Sequence, residues 1–87
     1  MKLTPELIEE LEVLTLFNLN TTQEGIKVHS TAASGAIAAT RRLHDKGLIT
    51  QADGGYLTGL GHDAAEHAQT LITILTTEPT AAGPEPR

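Results

Sequence analysis

The sequence predicts a mainly α-helical domain with one small β-hairpin, in the order helix, helix, helix, strand, strand, helix (α-α-α-β-β-α). Three observations support this. Leucines recur at helical spacing near the N-terminus and again near position 70. A glycine at position 47 follows a helical pattern, and an Asp-Gly pair lies between two short apolar runs, which is typical of a hairpin. We expect residues 1–75 to form this domain. Residues 76–87 are expected to be a disordered tail, because they contain three of the four prolines and almost no large apolar side chains.

The first helix is predicted to open at Thr4 and Pro5. Threonine suits the N-cap and proline the first helical position, while the glutamates that follow suit the positive end of the helix dipole. The apolar stripe of this helix contains three leucines at helical spacing: Leu7, Leu11 and Leu14. We expect the helix to end between Asn18 and Asn20.

Two further helices are predicted before the hairpin. Thr21 and Glu24 have the spacing of a capping box and indicate a short second helix, although Gly25 weakens it. The third helix is expected over about residues 34–46. Gly47 is expected to end it in the left-handed conformation, which glycine adopts without steric cost.

The second half of the domain is predicted as a hairpin followed by a fourth helix. Residues 48–50 and 56–58 form the expected strands, with a turn over residues 51–55. Thr58 has the character of an N-cap, and Gly61 allows close backbone approach in the first turn of the helix. Apolar residues then repeat at spacings of four, three and four: Ala64, Ala68, Leu71 and Leu75.

Composition narrows the possible functions. The chain has 87 residues and no cysteine, so a disulfide framework and a thiolate metal site are excluded. Net charge is −5, but residues 27–46 carry four Lys or Arg and one Asp, a local balance of +3, which leaves −8 elsewhere. The N-terminal residues do not have the basic region and apolar run of a secretory signal peptide, and no apolar stretch is long enough to span a membrane. We therefore expect a cytoplasmic protein without membrane contact.

Two segments carry a resemblance to a known superfamily. Residues 41–49, RRLHDKGLI, and residues 56–61, YLTGLG, resemble winged helix-turn-helix proteins of the bacterial regulator type. The whole chain also resembles a small family of uncharacterised bacterial proteins that carry a DNA-binding label, most clearly over residues 22–29 and 47–55. The resemblance implies a winged helix-turn-helix fold. It also implies a transcriptional regulator or accessory factor whose third helix enters the major groove of duplex DNA.

The resemblance also implies a set of DNA-binding residues. The outward positions of the third helix would be Ser34, Gly35, Ala38, Arg41, Arg42 and Lys46. Arg41 and Arg42 would contact phosphates or a guanine edge, and Ser34 and Ala38 would lie closest to the bases. Lys27 and His29 would lie where the preceding helix meets the DNA backbone. The predicted DNA-binding set is therefore Lys27, His29, Ser34, Ala38, Arg41, Arg42 and Lys46.

The same residues leave a second function open. The outward face is rich in small side chains, and the predicted turn contains Asp53 and no basic residue. Because phosphate neutralisation supplies most of the non-specific affinity for DNA, we expect DNA binding to be weak and salt-sensitive. The alternative is a winged-helix protein-protein interaction module without DNA binding. A homodimer through the first and fourth helices is expected slightly more than a monomer.

No catalytic, cofactor or metal site is expected. His62 and His67 are five residues apart, so they do not share one helix face as ligand pairs at four-residue spacing do. Asp63 and His67 have that spacing, but such pairs are more often surface contacts. Ser30 and Ser34 have no histidine partner fixed by the sequence, so no nucleophile is indicated. We expect a protein that is not an enzyme and uses no cofactor.

Overall fold

The computed structural model describes residues 1–21 and 23–78, which form three helices and one three-stranded antiparallel sheet. The helices are α1 (Pro5–Leu14), α2 (Ser34–Asp45) and α3 (Gly59–Thr76). The strands are β1 (Ile26–Lys27), β2 (Ile49–Gln51) and β3 (Gly54–Leu57). The order along the chain is therefore α-β-α-β-β-α, and the strand order in the sheet is β1-β3-β2. The predicted tail lies largely outside the described residues.

The N-caps predicted at Thr4 and Thr58 are confirmed. The Thr4 hydroxyl accepts a hydrogen bond from the Leu7 amide at 3.1 Å, and the Thr58 hydroxyl accepts one from the Gly61 amide at 3.0 Å. The end of the first helix differs from the prediction. Helix α1 ends at Leu14, and the Thr15 hydroxyl donates to the Glu12 carbonyl at 2.6 Å, which satisfies a carbonyl of the last turn.

The predicted second helix is wrong, and its segment leads into β1 instead. The Thr21 hydroxyl accepts a hydrogen bond from the Gln23 amide, so it forms a local turn. The Glu24 carboxylate accepts a hydrogen bond from the Asn18 side chain at 3.0 Å. Both side chains of the expected capping box are therefore used in other contacts. Ile26 is β-branched and pairs with β3, as suits an extended strand.

The hairpin is confirmed, with a shorter turn than predicted. Strands β2 and β3 are antiparallel, with Ile49 opposite Leu57, and only residues 52 and 53 separate them. Strand β3 begins at Gly54, which lies opposite Gln51 of β2 on one side and opposite Lys27 of β1 on the other. This third strand extends the sheet into residues that the sequence indicated as turn.

Two glycines allow the hairpin to pack on α3. Gly47 has a φ of 82° directly after α2, as predicted. The turn brings Leu48 against the first turn of α3, where a Cβ atom on Gly61 would lie only 1.8 Å from the Leu48 carbonyl oxygen. The close approach expected at Gly61 is therefore confirmed.

The core is small and almost entirely aliphatic. Its buried side chains come from α1, the segment that follows it, α2, β2 and α3: Val13, Leu14, Phe17, Ala39, Leu43, Ile49, Ala65 and Ala68. The Gln69 amide nitrogen donates to the Leu14 carbonyl at 3.1 Å and to the Phe17 carbonyl at 2.8 Å. This side chain joins α3 to the end of α1. Within the described residues, no helix is long and apolar enough to cross a membrane.

Candidate nucleic-acid interface

One face of α2 packs on α1. Positions 35, 39, 42 and 46 share this face, because their spacings of four, three and four follow the helical period. A Cβ atom on Gly35 would meet the Glu9 carboxylate, and Ala39 is fully buried. The prediction that Gly35 points outward is therefore wrong, since this side of α2 is covered by the glutamate-rich first helix.

Glu10 is the centre of a cluster of charges between the two helices. Its side chain is 7% exposed, and its two carboxylate oxygens accept hydrogen bonds from Arg42 Nε, at 2.6 Å, and from Lys46 Nζ. Arg42 also donates to the Glu6 carbonyl at 3.1 Å and lies 3.8 Å from the Glu9 carboxylate. The expectation that Arg42 faces outward is wrong, because its guanidinium group lies against α1.

The cluster holds Glu10 in its charged form. Burial alone raises the pKa of a carboxyl group, because it disfavours the charged form. Hydrogen bonds from Lys46 and Arg42, together with their positive charges, outweigh this effect. The pKa of Glu10 consequently lies below its ordinary value.

The outer face of α2 carries three of the predicted residues. Ser34, Ala38 and Arg41 are all exposed, at spacings of four and three that place them on one side of the helix. Asp45 follows on the same exposed side. Of the two consecutive arginines, only Arg41 therefore belongs to the outer face.

Arg41 also borders a cavity of about 510 Å³, which we call the basic cleft. The cleft is formed by α2, the segment that starts in β1, and the turn between β2 and β3. Its lining residues are Lys27, Val28, His29, Ser30, Ile37, Thr40, Arg41, Ala52 and Asp53. The structure thus brings together three of the predicted DNA-binding residues, Lys27, His29 and Arg41, from separate parts of the chain.

Backbone contacts fix the walls of the cleft. The Val28 amide donates to the Asp53 carbonyl at 2.8 Å, which holds the segment after β1 against the hairpin turn. The Ala32 amide donates to the His29 carbonyl at 2.9 Å and closes a turn before α2. The contribution of Asp53 was not recognised from the sequence, because it depends on the pairing of β1 with β3.

The cleft contains two cations that take part in no ion pair among the described residues. The ion pairs found among the described residues involve Arg42, Lys46 and His44, and none includes Lys27 or Arg41. Asp53 is the acidic residue that lines the cleft. With neutral His29, the lining charges therefore sum to about +1, within a chain of net charge −5.

The comparisons with known proteins assign a family. The profile of a family of unknown function, DUF5669, matches residues 1–76. The chain belongs to DUF5669. No curated protein and no solved structure matches the chain. The description of DUF5669 assigns no function, so the DNA-binding role indicated by the resemblance stays a prediction.

This DUF5669 chain also places three potential metal ligands together. Atoms of His62, Asp63 and Glu66 lie within 4.8 Å of one another at the start of α3. His67 Nδ1 contacts the Asp63 backbone carbonyl at 2.7 Å. Asp63 and His67 have the sequence spacing of a ligand pair, but His67 is not part of this group. The four-residue spacing of His62 and Glu66 was the signal that could have indicated it. Asp63 and Glu66 are exposed.

A second cavity, of about 370 Å³, adjoins this group in the DUF5669 chain. It lies between the end of α1, β3 and the start of α3. Its lining residues are Phe17, Asn18, Thr21, Glu24, Tyr56, Leu57, Thr58, Gly59, His62 and Asp63. The lining includes carboxylates at Glu24 and Asp63 and no Lys or Arg, so this cavity does not suit a phosphate.

Proposed function

We propose that this chain binds the phosphate backbone of duplex DNA through the basic cleft, as a transcriptional regulator or accessory factor. The observation that carries the proposal is the convergence of Lys27 and Arg41, from β1 and α2, on one open cavity beside His29. Lysine and arginine are the side chains that most often contact phosphate oxygens, and arginine does so with a fork of donors. Two cations without ion-pair partners in the described chain are therefore available for this role.

A winged-helix arrangement would orient the cleft toward the DNA backbone. The sheet order β1-β3-β2, with α2 directly before the β2–β3 hairpin, supports this interpretation. In such an arrangement α2 is the recognition helix, and the hairpin reaches the adjacent backbone. Ser34 and Ala38 then lie closest to the bases, but their few atoms offer little sequence readout.

Arg42 and Lys46 are left out of the proposed contact surface. Both donate to the buried Glu10 carboxylate, so contact with DNA requires breaking these hydrogen bonds and leaving a buried charge unpaired. That penalty is larger than the gain from one exposed phosphate contact. We propose Lys27, His29 and Arg41 as the residues that touch the backbone.

The number of available cations sets the expected affinity. Each neutralised phosphate changes the slope of log affinity against log salt by about −0.9, so two cations predict a slope of about −2. Acidic residues elsewhere, including the exposed Glu6 and Glu12 of α1, oppose approach to DNA. The binding is therefore expected to be weak, with dissociation constants in the range of about 10⁻⁴ to 10⁻⁶ M that is typical of non-specific complexes.

The test is a titration of fluorescent duplex DNA at about 50 mM and again at about 200 mM salt. Wild-type protein is compared with Arg41→Ala and with the double variant Lys27→Ala/Arg41→Ala. The control is Lys2→Ala, which removes the same charge from an exposed position before α1. Loss of binding in the double variant, with near-normal binding in the control, supports the proposal. Equal effects of Arg41→Ala and Lys2→Ala would contradict a localised cleft.

A protein-protein interaction module is the second candidate. It is favoured by the acidic Asp53 in the cleft lining and by the small side chains of Ser34 and Ala38, which allow another backbone to approach α2 closely. This function predicts no duplex binding even at about 50 mM salt. The same titration therefore separates the two candidates.

A further inference from the structure

The second half of α3 extends beyond the core of the domain. The buried residues of this helix are Gly61, Ala65 and Ala68, and every residue of the helix after Gln69 is exposed. We call residues 70–76 the distal segment of α3. Its large apolar side chains are exposed to fractions of 53% for Leu71, 36% for Ile72, 65% for Ile74 and 72% for Leu75.

The distal segment does not have a sequence that forms a helix alone. Isoleucine and threonine make up five of its seven residues, TLITILT, and β-branched side chains have low helix propensity. Two helical turns in water are also too short to be stable without tertiary packing. Burial of an apolar face is the ordinary source of such stability, which indicates a surface that covers these side chains.

We propose that the distal segment of α3 pairs with the same segment of a second copy of the chain, around a two-fold axis. In a two-fold contact each surface patch meets itself, so a patch of like charges would repel its copy. Residues 67–77 contain no Asp, Glu, Lys or Arg. This uncharged stretch is therefore suited to self-association in an otherwise acidic chain.

The end of α1 widens the proposed interface. Leu19, five residues after the end of α1, borders a cavity of about 320 Å³ together with residues of α3. The other lining residues of this cavity are Glu66, Gln69, Thr70, Thr73 and Ile74. Covering the exposed leucines and isoleucines in both copies would bury on the order of 1,000 Å², near the lower limit for a specific interface. The dimer is therefore expected to be weak and to depend on concentration.

The residues after α3 do not have the composition to cover this surface. Residues 79–87, PTAAGPEPR, contain no Leu, Ile, Val, Met or aromatic side chain. They cannot supply the apolar area that the distal segment lacks. The proposal is independent of DNA binding, because the distal segment contributes no residue to the basic cleft.

The experiment is sedimentation equilibrium of the full chain over about 5 to 500 μM, the range in which a weak interface of this size should dissociate. The expected result is a mass that rises from the monomer value of 9.2 kDa toward twice that value. Leu75→Glu should lower the association constant at least tenfold. A constant monomer mass, or assembly beyond the dimer, would overturn the proposal.

Leu60→Glu is the matched control. Leu60 is 61% exposed on the same helix, but it lies in the first turn, outside the distal segment. We expect this variant to dimerise as the wild type does, and circular dichroism of both variants checks that the fold is retained. Equal loss of association in Leu60→Glu and Leu75→Glu would overturn the assignment of the interface to the distal segment. Unchanged association in Leu75→Glu would do the same.

Discussion

Arg42 Nε of α2 donates a hydrogen bond of 2.6 Å to Glu10 Oε2 of α1, across 32 positions of sequence. The neighbouring Arg41 lies on another side of α2 and lines the basic cleft. Two identical and consecutive side chains therefore have different roles in the domain. One joins two helices, and the other carries a charge that is open to a ligand.

Replacing Glu10 by Gln should destabilise the domain. The amide keeps the shape of the carboxylate but removes the charge that Arg42 and Lys46 share, so we expect a loss of about 1–2 kcal/mol in the free energy of unfolding at pH 7. Urea denaturation followed by circular dichroism measures it. Glu12→Gln is the control, because Glu12 is exposed on the same helix. Glu12→Gln should be as stable as the wild type. Equal unfolding free energies for the two variants would show that the cluster does not stabilise the fold.

The stability of the wild type should fall in acid in a way that depends on Glu10. The pKa of Glu10 is lower in the folded chain than in the unfolded chain, so the folded state favours the charged form. The contribution is complete above the ordinary glutamate pKa of about 4.3 and is lost as the pH falls through the lower, folded value. Urea denaturation at about pH 7, 5, 4 and 3 measures this. Glu10→Gln should show a smaller loss, and an identical profile would refute the assignment.

Arg41→Ala should weaken DNA binding with little effect on stability, whereas Arg42→Ala should lower stability with little effect on DNA binding. Arg41→Ala removes an exposed side chain without an ion pair in the described chain, so its unfolding free energy should change by less than about 0.5 kcal/mol. Arg42→Ala removes a partner of buried Glu10 and should cost about 1–2 kcal/mol. Thermal denaturation and the duplex titration together test the pair. If Arg42→Ala lost DNA binding strongly at a temperature where it is folded, the proposal that Arg41 contacts DNA and Arg42 only joins the helices would be contradicted.

Gly61→Ala should be strongly destabilising, because the new Cβ atom would lie 1.8 Å from the Leu48 carbonyl oxygen. Separating the hairpin from α3 to relieve this clash should cost about 1–3 kcal/mol. Gly59→Ala is a close control, since a Cβ atom there meets nothing within 4 Å. Its stability should be unchanged or slightly raised, and chemical denaturation compares the two. Similar denaturation midpoints for both variants would show that Leu48 can move away from position 61 at little cost in stability.

Local features of the chain were predicted well from the sequence. Thr4 and Thr58 cap helices as expected, and Gly47 adopts the left-handed conformation, because each of these signals depends only on nearby residues. The short helix expected at Thr21 failed for a non-local reason. Ile26 gains strand partners in β3, which lies almost 30 residues later, and this pairing outweighs a marginal capping signal.

The candidate site was predicted only in part, because a helical wheel does not show where the neighbouring helix lies. Ala38 and Arg42 are four residues apart and therefore neighbours on α2, and the position of α1 decides that Arg42 contacts Glu10 while Ala38 is exposed. The glutamate-rich composition of α1 could have indicated that cations of α2 pair with it, since a buried carboxylate such as Glu10 requires cationic partners. Lys27 and Arg41 were both anticipated, but their shared cavity depends on the contact of Val28 with Asp53.

The Gln69 side chain has a consequence for how the chain folds during synthesis. Its amide donates to carbonyl groups at Leu14 and Phe17, more than 50 residues earlier. While the chain is being made, these carbonyls lack this partner until Gln69 of α3 has been added and can reach them. The end of α1 is therefore expected to fray in nascent chains that stop before α3, and to become protected from hydrogen exchange only when α3 packs against it.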